Sequence, residues 1–173
     1  MSVSRIVLGP GASGTIDRLH PHRDGLVARG FEVELVELPR SAAERALPVY
    51  RDAVPEAGRK AAAIGGHSFG GRVASLLAAE SAPAALILLS YPLHAPGRHE
   101  AWKDRTSHWP DLVCPVILLS GEADPFARLD LLRTAVAQLP DATLHTWPKV
   151  GHGLIPVLDE ALDLVATFVR ERT

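Results

Sequence analysis

The residues best suited to chemistry lie in Gly66-His67-Ser68-Phe69-Gly70. A serine hydroxyl is a weak nucleophile until a histidine takes its proton and a carboxylate holds that histidine. The spacing G-x-S-x-G has a mechanical reason. A serine lifted clear of a sheet sits on a sharp strand-to-helix turn, and backbone crowds the positions two before and two after it, so only tiny residues fit there. Gly66 and Gly70 meet that demand. The partners that such a serine needs come later in the chain. Asp124 stands in Gly121-Glu122-Ala123-Asp124-Pro125-Phe126, and His152 stands in Gly151-His152-Gly153. Each follows a short apolar run, Val116–Ser120 or Thr143–Trp147, and so lies just past a candidate strand. Taken alone, the first motif also fits a glycine-rich turn with an incidental serine. Three such features at three strand ends argue against coincidence.

A second stretch points to different chemistry. Gly9-Pro10-Gly11-Ala12-Ser13-Gly14 matches G-x-G-x-x-G after a strand, and Glu37 supplies an acid where a ribose would need one. That pattern fits a dinucleotide-binding oxidoreductase. It also fits a turn that brings backbone close to another part of the protein. The oxidoreductase reading leaves Ser68, Asp124 and His152 without a purpose.

The elements that must position these residues are legible in the alternation of apolar runs. Val3–Leu8, Phe31–Leu38, Ala61–Gly65, Ala84–Ser90, Val116–Ser120 and Thr143–Trp147 read as strands. Ser41–Ala57, Phe69–Glu80, Leu129–Leu139 and Leu154–Arg170 read as helices, with Pro48 expected to break or kink the first. Strand–helix alternation predicts an α/β fold, a parallel sheet with helices on both faces. Ligands of such folds sit beyond the carboxyl ends of the strands.

Composition narrows the function classes. A chain of 173 residues amounts to one domain at about 150 residues each. With 47% apolar and 22% charged residues it has the make-up of a globular protein, not a disordered one. A net charge of −2 implies no broad electropositive surface, so neither nucleic acid nor a membrane is an expected partner. The N-terminal stretch carries no long apolar region, and a cytoplasmic location is expected. One cysteine, Cys114, excludes an internal disulfide and reads as a small buried hydrophobe. His20 and His22 read as surface residues, and His67 as structural.

The motif residues resemble the α/β-hydrolase superfamily and, within it, the small dienelactone-hydrolase-like branch without a cap domain. The similarity runs from the first strand to the last helix. Gly66-His67-Ser68-Phe69-Gly70-Gly71 matches the nucleophile elbow, and Ser90-Tyr91-Pro92-Leu93-His94-Ala95-Pro96-Gly97 is similar to the proline-rich segment after the next strand. The acid turn and the histidine loop match at Gly121–Phe126 and Gly151–Gly153. The resemblance implies Ser68, Asp124 and His152 as a catalytic triad. It implies an oxyanion hole from the N–H groups of Phe69 and Ala12, in a turn where Pro10 replaces the family's usual histidine. It also implies a trimmed, all-parallel sheet of six strands.

The implied activity is hydrolysis of a small-molecule carboxylic ester or thioester through an acyl-enzyme, with no cofactor and no metal. A non-catalytic binding protein on the same fold is the alternative. Asp130 and Glu122 are rival acids to Asp124. Tyr91–Trp109 is the one segment long enough to cover the site. Either its Tyr91, His94, Trp102, His108 and Trp109 border the substrate, or they pack on the rim. With no residues to spare for a cap, a shallow site and a preference for small acyl groups are expected.

Overall fold

Strands that are apolar on both faces need cover on both faces. The computed structural model, which describes residues 3–12 and 15–173, provides it. Strands β1 (Arg5–Gly9), β2 (Glu32–Leu35), β3 (Ala62–His67), β4 (Ala85–Leu89), β5 (Val116–Gly121) and β6 (Ala142–Trp147) form one parallel sheet in the order β2-β1-β3-β4-β5-β6. The central strands β3, β4 and β5 are buried almost throughout, whereas the edge strands β2 and β6 are half exposed. Edge position explains why Phe31–Leu38 yields only a four-residue strand. Val36 and Leu38 continue into the core after the pairing has ended.

Strand alternation sends successive side chains to opposite layers. Ile6, Leu8, Ile87 and Ile117 face α1 (His20–Ala28) and α7 (Leu158–Arg172), meeting Leu26, Leu162 and Val165. Val7, Ile64, Leu86 and Leu88 face the other way, toward Tyr50 of α2 (Ala43–Ala53), Val73 and Leu77 of α4 (Phe69–Glu80), and Leu132 of α6 (Leu129–Val136). The short helices α3 (Glu56–Arg59) and α5 (Trp102–Arg105) fill connections. Among the described residues, no helix is long and apolar enough to cross a membrane.

The expected break at Pro48 does not occur, since α2 runs through it. Proline there removes one hydrogen bond at the middle of the helix, while Ala43, Ala46 and Tyr50 hold the helix to the core on both sides of it. The helix stops instead at Ala53, because Val54 precedes Pro55 and is driven to an extended conformation.

The strand order fixes where a site can form. From β1 the chain moves outward to β2, then returns to the other side of β1 for β3 and proceeds outward through β6. This reversal opens a crevice at the carboxyl ends of β1 and β3. Beneath it, the fully buried Tyr50 hydroxyl ties the two strands together. It lies 2.8 Å from the carbonyl of Val7 and 2.6 Å from that of Gly65, either of which can accept its proton, and it accepts the Gly65 N–H at 3.1 Å. Tyr50→Phe leaves buried backbone groups short of a partner. It is expected to lower the unfolding free energy by about 1–3 kcal/mol in urea titrations, and an unchanged midpoint would show that the hydroxyl carries no net stability.

Candidate active site

β3 delivers the chain to Ser68 and α4 carries it away, so the serine sits on the turn between them. Its backbone is at φ 49°, ψ −113°, a left-handed conformation that a non-glycine residue holds at a cost of about 1–3 kcal/mol. The flanking glycines are sterically required. A Cβ at Gly66 would lie 2.4 Å from the carbonyl oxygen of Gly9, and one at Gly70 would lie 2.1 Å from the same atom. The end of β1 thus presses directly on the elbow. Gly11 belongs to the same contact, since a Cβ there would meet the His67 ring at 3.1 Å. Gly9 and Gly11 therefore serve close backbone approach, which is the alternative reading of the G-x-G-x-x-G stretch. Glu37 is exposed and lines none of the crevice, while Ser13 and Gly14 of that motif lie outside the described residues.

The sheet brings Ser68, His152 and Asp124 together. His152 Nε2 is 2.8 Å from Ser68 Oγ, and His152 Nδ1 is 2.8 and 3.0 Å from the two carboxylate oxygens of Asp124. The Asp124 side chain is fully buried, whereas a quarter of the imidazole is exposed. Asp124 also accepts the N–H of Phe126 at 2.8 Å, which closes its own turn. Backbone bonds join the acid turn to the histidine loop. The N–H of Ala123 donates to the carbonyl of Val150, and that of Glu122 donates to Trp147. Gly121 lies so close beneath that loop that a Cβ would stand 2.1 Å from the Val150 oxygen. The rival acids are elsewhere. Glu122 accepts from the Thr146 hydroxyl, and exposed Asp130 is paired with Arg128, whose guanidinium pulls its carboxyl down to about 2.

The N–H of Phe69 opens α4 and has no acceptor within the helix, so it is free to meet a ligand. Ala12 lines the same cavity. Beside them His67 donates from Nε2 to the carbonyl of His152 at 2.9 Å, with its imidazole kept neutral by burial. This bond holds the histidine loop over the elbow.

The segment Tyr91–Trp109 does not line the cavity in front of Ser68 with the residues expected to border it. Trp109 and Tyr91 are core residues in edge-to-face contact at 5.1 Å, and the Tyr91 hydroxyl donates to the carbonyl of Arg105. Trp102 packs against the same core. His108 meets the Ser75 hydroxyl at 2.8 Å. His94 is fully buried and clamps the acid turn. It accepts the N–H of Arg128 at Nε2 and faces the carbonyl of Ala95 through Nδ1, and its own N–H donates to Phe126. Large aromatic surfaces and satisfiable imidazoles are worth more in the core than over open water. Only Pro92 and Arg105 of this segment reach the cavity.

The cavity in front of Ser68 measures about 460 Å³. This exceeds the shallow site expected from chain length, because its walls come from segments that bear no cap signature. Thr15–His22 forms one side, and Gly153, Leu154 and Ile155 form another. His22, expected at the surface, is 4% exposed and lines this space with neither ring nitrogen hydrogen-bonded.

Burial lowers the His22 imidazole to about 4, helped by the nearby His67. An unfolded histidine titrates near 6.5, so below that pH the unfolded chain binds a proton that the native state refuses. Stability is thus full above about pH 6.5 and is lost as pH falls toward 4. The His22 contribution is about 2 kcal/mol by pH 5. Urea unfolding of His22→Leu at pH 7 and pH 5 is expected to show a smaller loss on acidification than the parent protein. Equal losses would show that His22 does not titrate in this way.

Known proteins share this arrangement of elements. A monoacylglycerol lipase from Paleococcus ferrophilus superposes with a TM-score of 0.85 at 14% identity, over 99% of this chain and 96% of that one. The structure of DcsB in complex with its substrate analogue gives 0.86 at 14% identity, over 99% and 92%. MGS-MChE2, an alpha/beta hydrolase enzyme from a sediment metagenome of the Mar Chica lagoon in Morocco, gives 0.80 at 19% identity, over 98% and 92%. At such identities the likeness is one of fold. No curated protein matches the chain in sequence. Residues 37–164, the greater part of the chain, match the family model described as alpha/beta hydrolase domain, and the protein belongs to that family.

Proposed function

We propose that the protein is a serine hydrolase of carboxylic esters or thioesters. The observation that carries this reading is the continuous hydrogen-bonded line from buried Asp124 through His152 to Ser68 at the wall of a cavity. Ser68 Oγ attacks the carbonyl carbon while His152 Nε2 takes its proton. The N–H groups of Phe69 and Ala12 hold the oxyanion, and Asp124 orients the imidazole and stabilises its cation. The tetrahedral species collapses as His152 returns the proton to the departing alcohol or thiol. A water then adds to the acyl-enzyme with His152 as base, and the acid leaves as the proton passes back to Ser68. The strain held at Ser68 supports chemistry over mere binding, since a scaffold gains nothing from it.

The cavity favours compact substrates. It has room for a small molecule, but its lining includes Arg18, His22, Arg72 and Arg105. A methylene contributes about 0.8 kcal/mol only when buried, and a cavity of about 460 Å³ takes in a short acyl chain but leaves most of a long one outside. With p-nitrophenyl esters of two to sixteen carbons, kcat/KM is expected to peak at short acyl groups. A maximum beyond about ten carbons would refute the compact site.

Ser68→Ala is expected to abolish both turnover and fluorophosphonate labelling in a folded protein. Asp124→Asn is expected to reduce kcat by about 10⁴. Undiminished labelling of Ser68→Ala would place the nucleophile elsewhere, and greater damage from Asp130→Asn would overturn the acid assignment.

A further inference from the structure

Among the described residues lining the cavity are three arginines, Arg18, Arg72 and Arg105, and no aspartate or glutamate. The chain as a whole has a net charge of −2, so this wall does not mirror the composition. We propose that the site selects esters that carry an anionic group, a carboxylate or a phosphate, and that Arg72 and Arg105 bind that group with Arg18 at the rim. The proposal rests on the hydrolase reading above and specifies its substrate class.

Arg72 is tied to the nucleophile. It lies one helical turn beyond Ser68, and its backbone N–H donates to the Ser68 carbonyl at 3.1 Å. Its guanidinium makes one ion pair, a single 3.3 Å contact with exposed Glu44, and its Nε is buried without a hydrogen-bond partner. Arg105 reaches the same cavity from a different part of the chain, the Tyr91–Trp109 segment. Its Nη1 donates to the carbonyl of Pro92, another cavity residue, at 2.9 Å. No ion pair forms at Arg105 or Arg18 among the described residues.

Burial and the neighbouring Arg72 both depress the ionisation of Arg105, so the two cations are close enough to repel. Two guanidiniums lining one cavity, with donors to spare and one 3.3 Å carboxylate contact between them, form an arrangement that a bound anion would stabilise. Guanidinium groups match carboxylate and phosphate oxygens in a bidentate geometry. The imidazoles nearby add no charge, because His22 and His108 are each held neutral, near 4.

The test uses substrates matched in shape and differing in charge. On the alcohol side these are the acetyl esters of 3-hydroxybenzoate, 3-hydroxyphenyl phosphate and neutral 3-hydroxybenzamide. On the acyl side they are the phenyl monoesters of adipate and of its monoamide. At low salt, kcat/KM is expected to be at least about tenfold higher for an anionic ester than for its neutral match on one of the two sides. The gap should narrow as sodium chloride rises. The carboxylate and phosphate arms identify which anion is preferred.

Arg72→Gln and Arg105→Gln are each expected to lower the anionic-to-neutral ratio about tenfold, with partial recovery in the lysine variants. Should Arg105→Gln fail to fold for want of its bond to Pro92, Arg72→Gln and Arg18→Gln carry the test. Equal turnover of charged and neutral esters, or a ratio unmoved by these variants, overturns the proposal. If no ester is turned over at all, the hydrolase reading fails separately. Calorimetric titration of the parent protein with 3-hydroxybenzoate, 3-hydroxyphenyl phosphate and 3-hydroxybenzamide then decides the matter. Anion binding that weakens in Arg72→Gln sustains the arginine site, and its absence overturns it.

Discussion

The contact on which the rest of the site depends is the one between the end of β1 and the turn after β3. The carbonyl of Gly9 occupies the space that a side chain at Gly66 or Gly70 would fill. That proximity lets Ser68 stand in a left-handed conformation, since the backbone around it has no other place to go. Parallel pairing of β1 with β3 brings the two loops together, and Tyr50 locks that pairing from below. The strand order, the glycines and the serine conformation are aspects of a single packing constraint.

A second body of structure faces the elbow across β4. The acid turn and the histidine loop hold each other through main-chain bonds, with Gly121 permitting their approach. His94 braces the acid turn from outside and His67 pins the histidine loop to the elbow. Imidazoles thus do two kinds of work here. His152 faces Ser68, while His67 and His94 position the loops around it through bonds to backbone atoms.

The parts that were legible in the sequence were those in which a steric or covalent rule acts locally. Gly66, Ser68 and Gly70 are such a case, and so are the buried strands, whose apolar runs announce cover on both faces. Asp124 and His152 were legible because each lies in the loop that follows an apolar strand, at the same edge of the sheet. The Tyr91–Trp109 segment was not. An irregular segment has no periodicity, so nothing local says that Trp109 and Tyr91 point inward and leave Arg105 at the cavity. The three cavity arginines lie on separate segments, and only folding unites them. His22 was illegible for a related reason: α1 shows a weak apolar face, with only His22 and Leu26 buried, so no local pattern marks the imidazole as interior.

The hydrogen bond between Ser68 and His152 spans 84 residues of chain. The strand that carries the serine is complete long before the strand that presents the imidazole has been made. During synthesis at the ribosome the elbow can therefore pack against β1 while Ser68 does not yet have the His152 imidazole beside it. That bond can form only when β6 docks on the sheet edge and the loop after it closes. Any chemistry that needs the pair must therefore wait, in the order of translation, until the last strand of the sheet is in place.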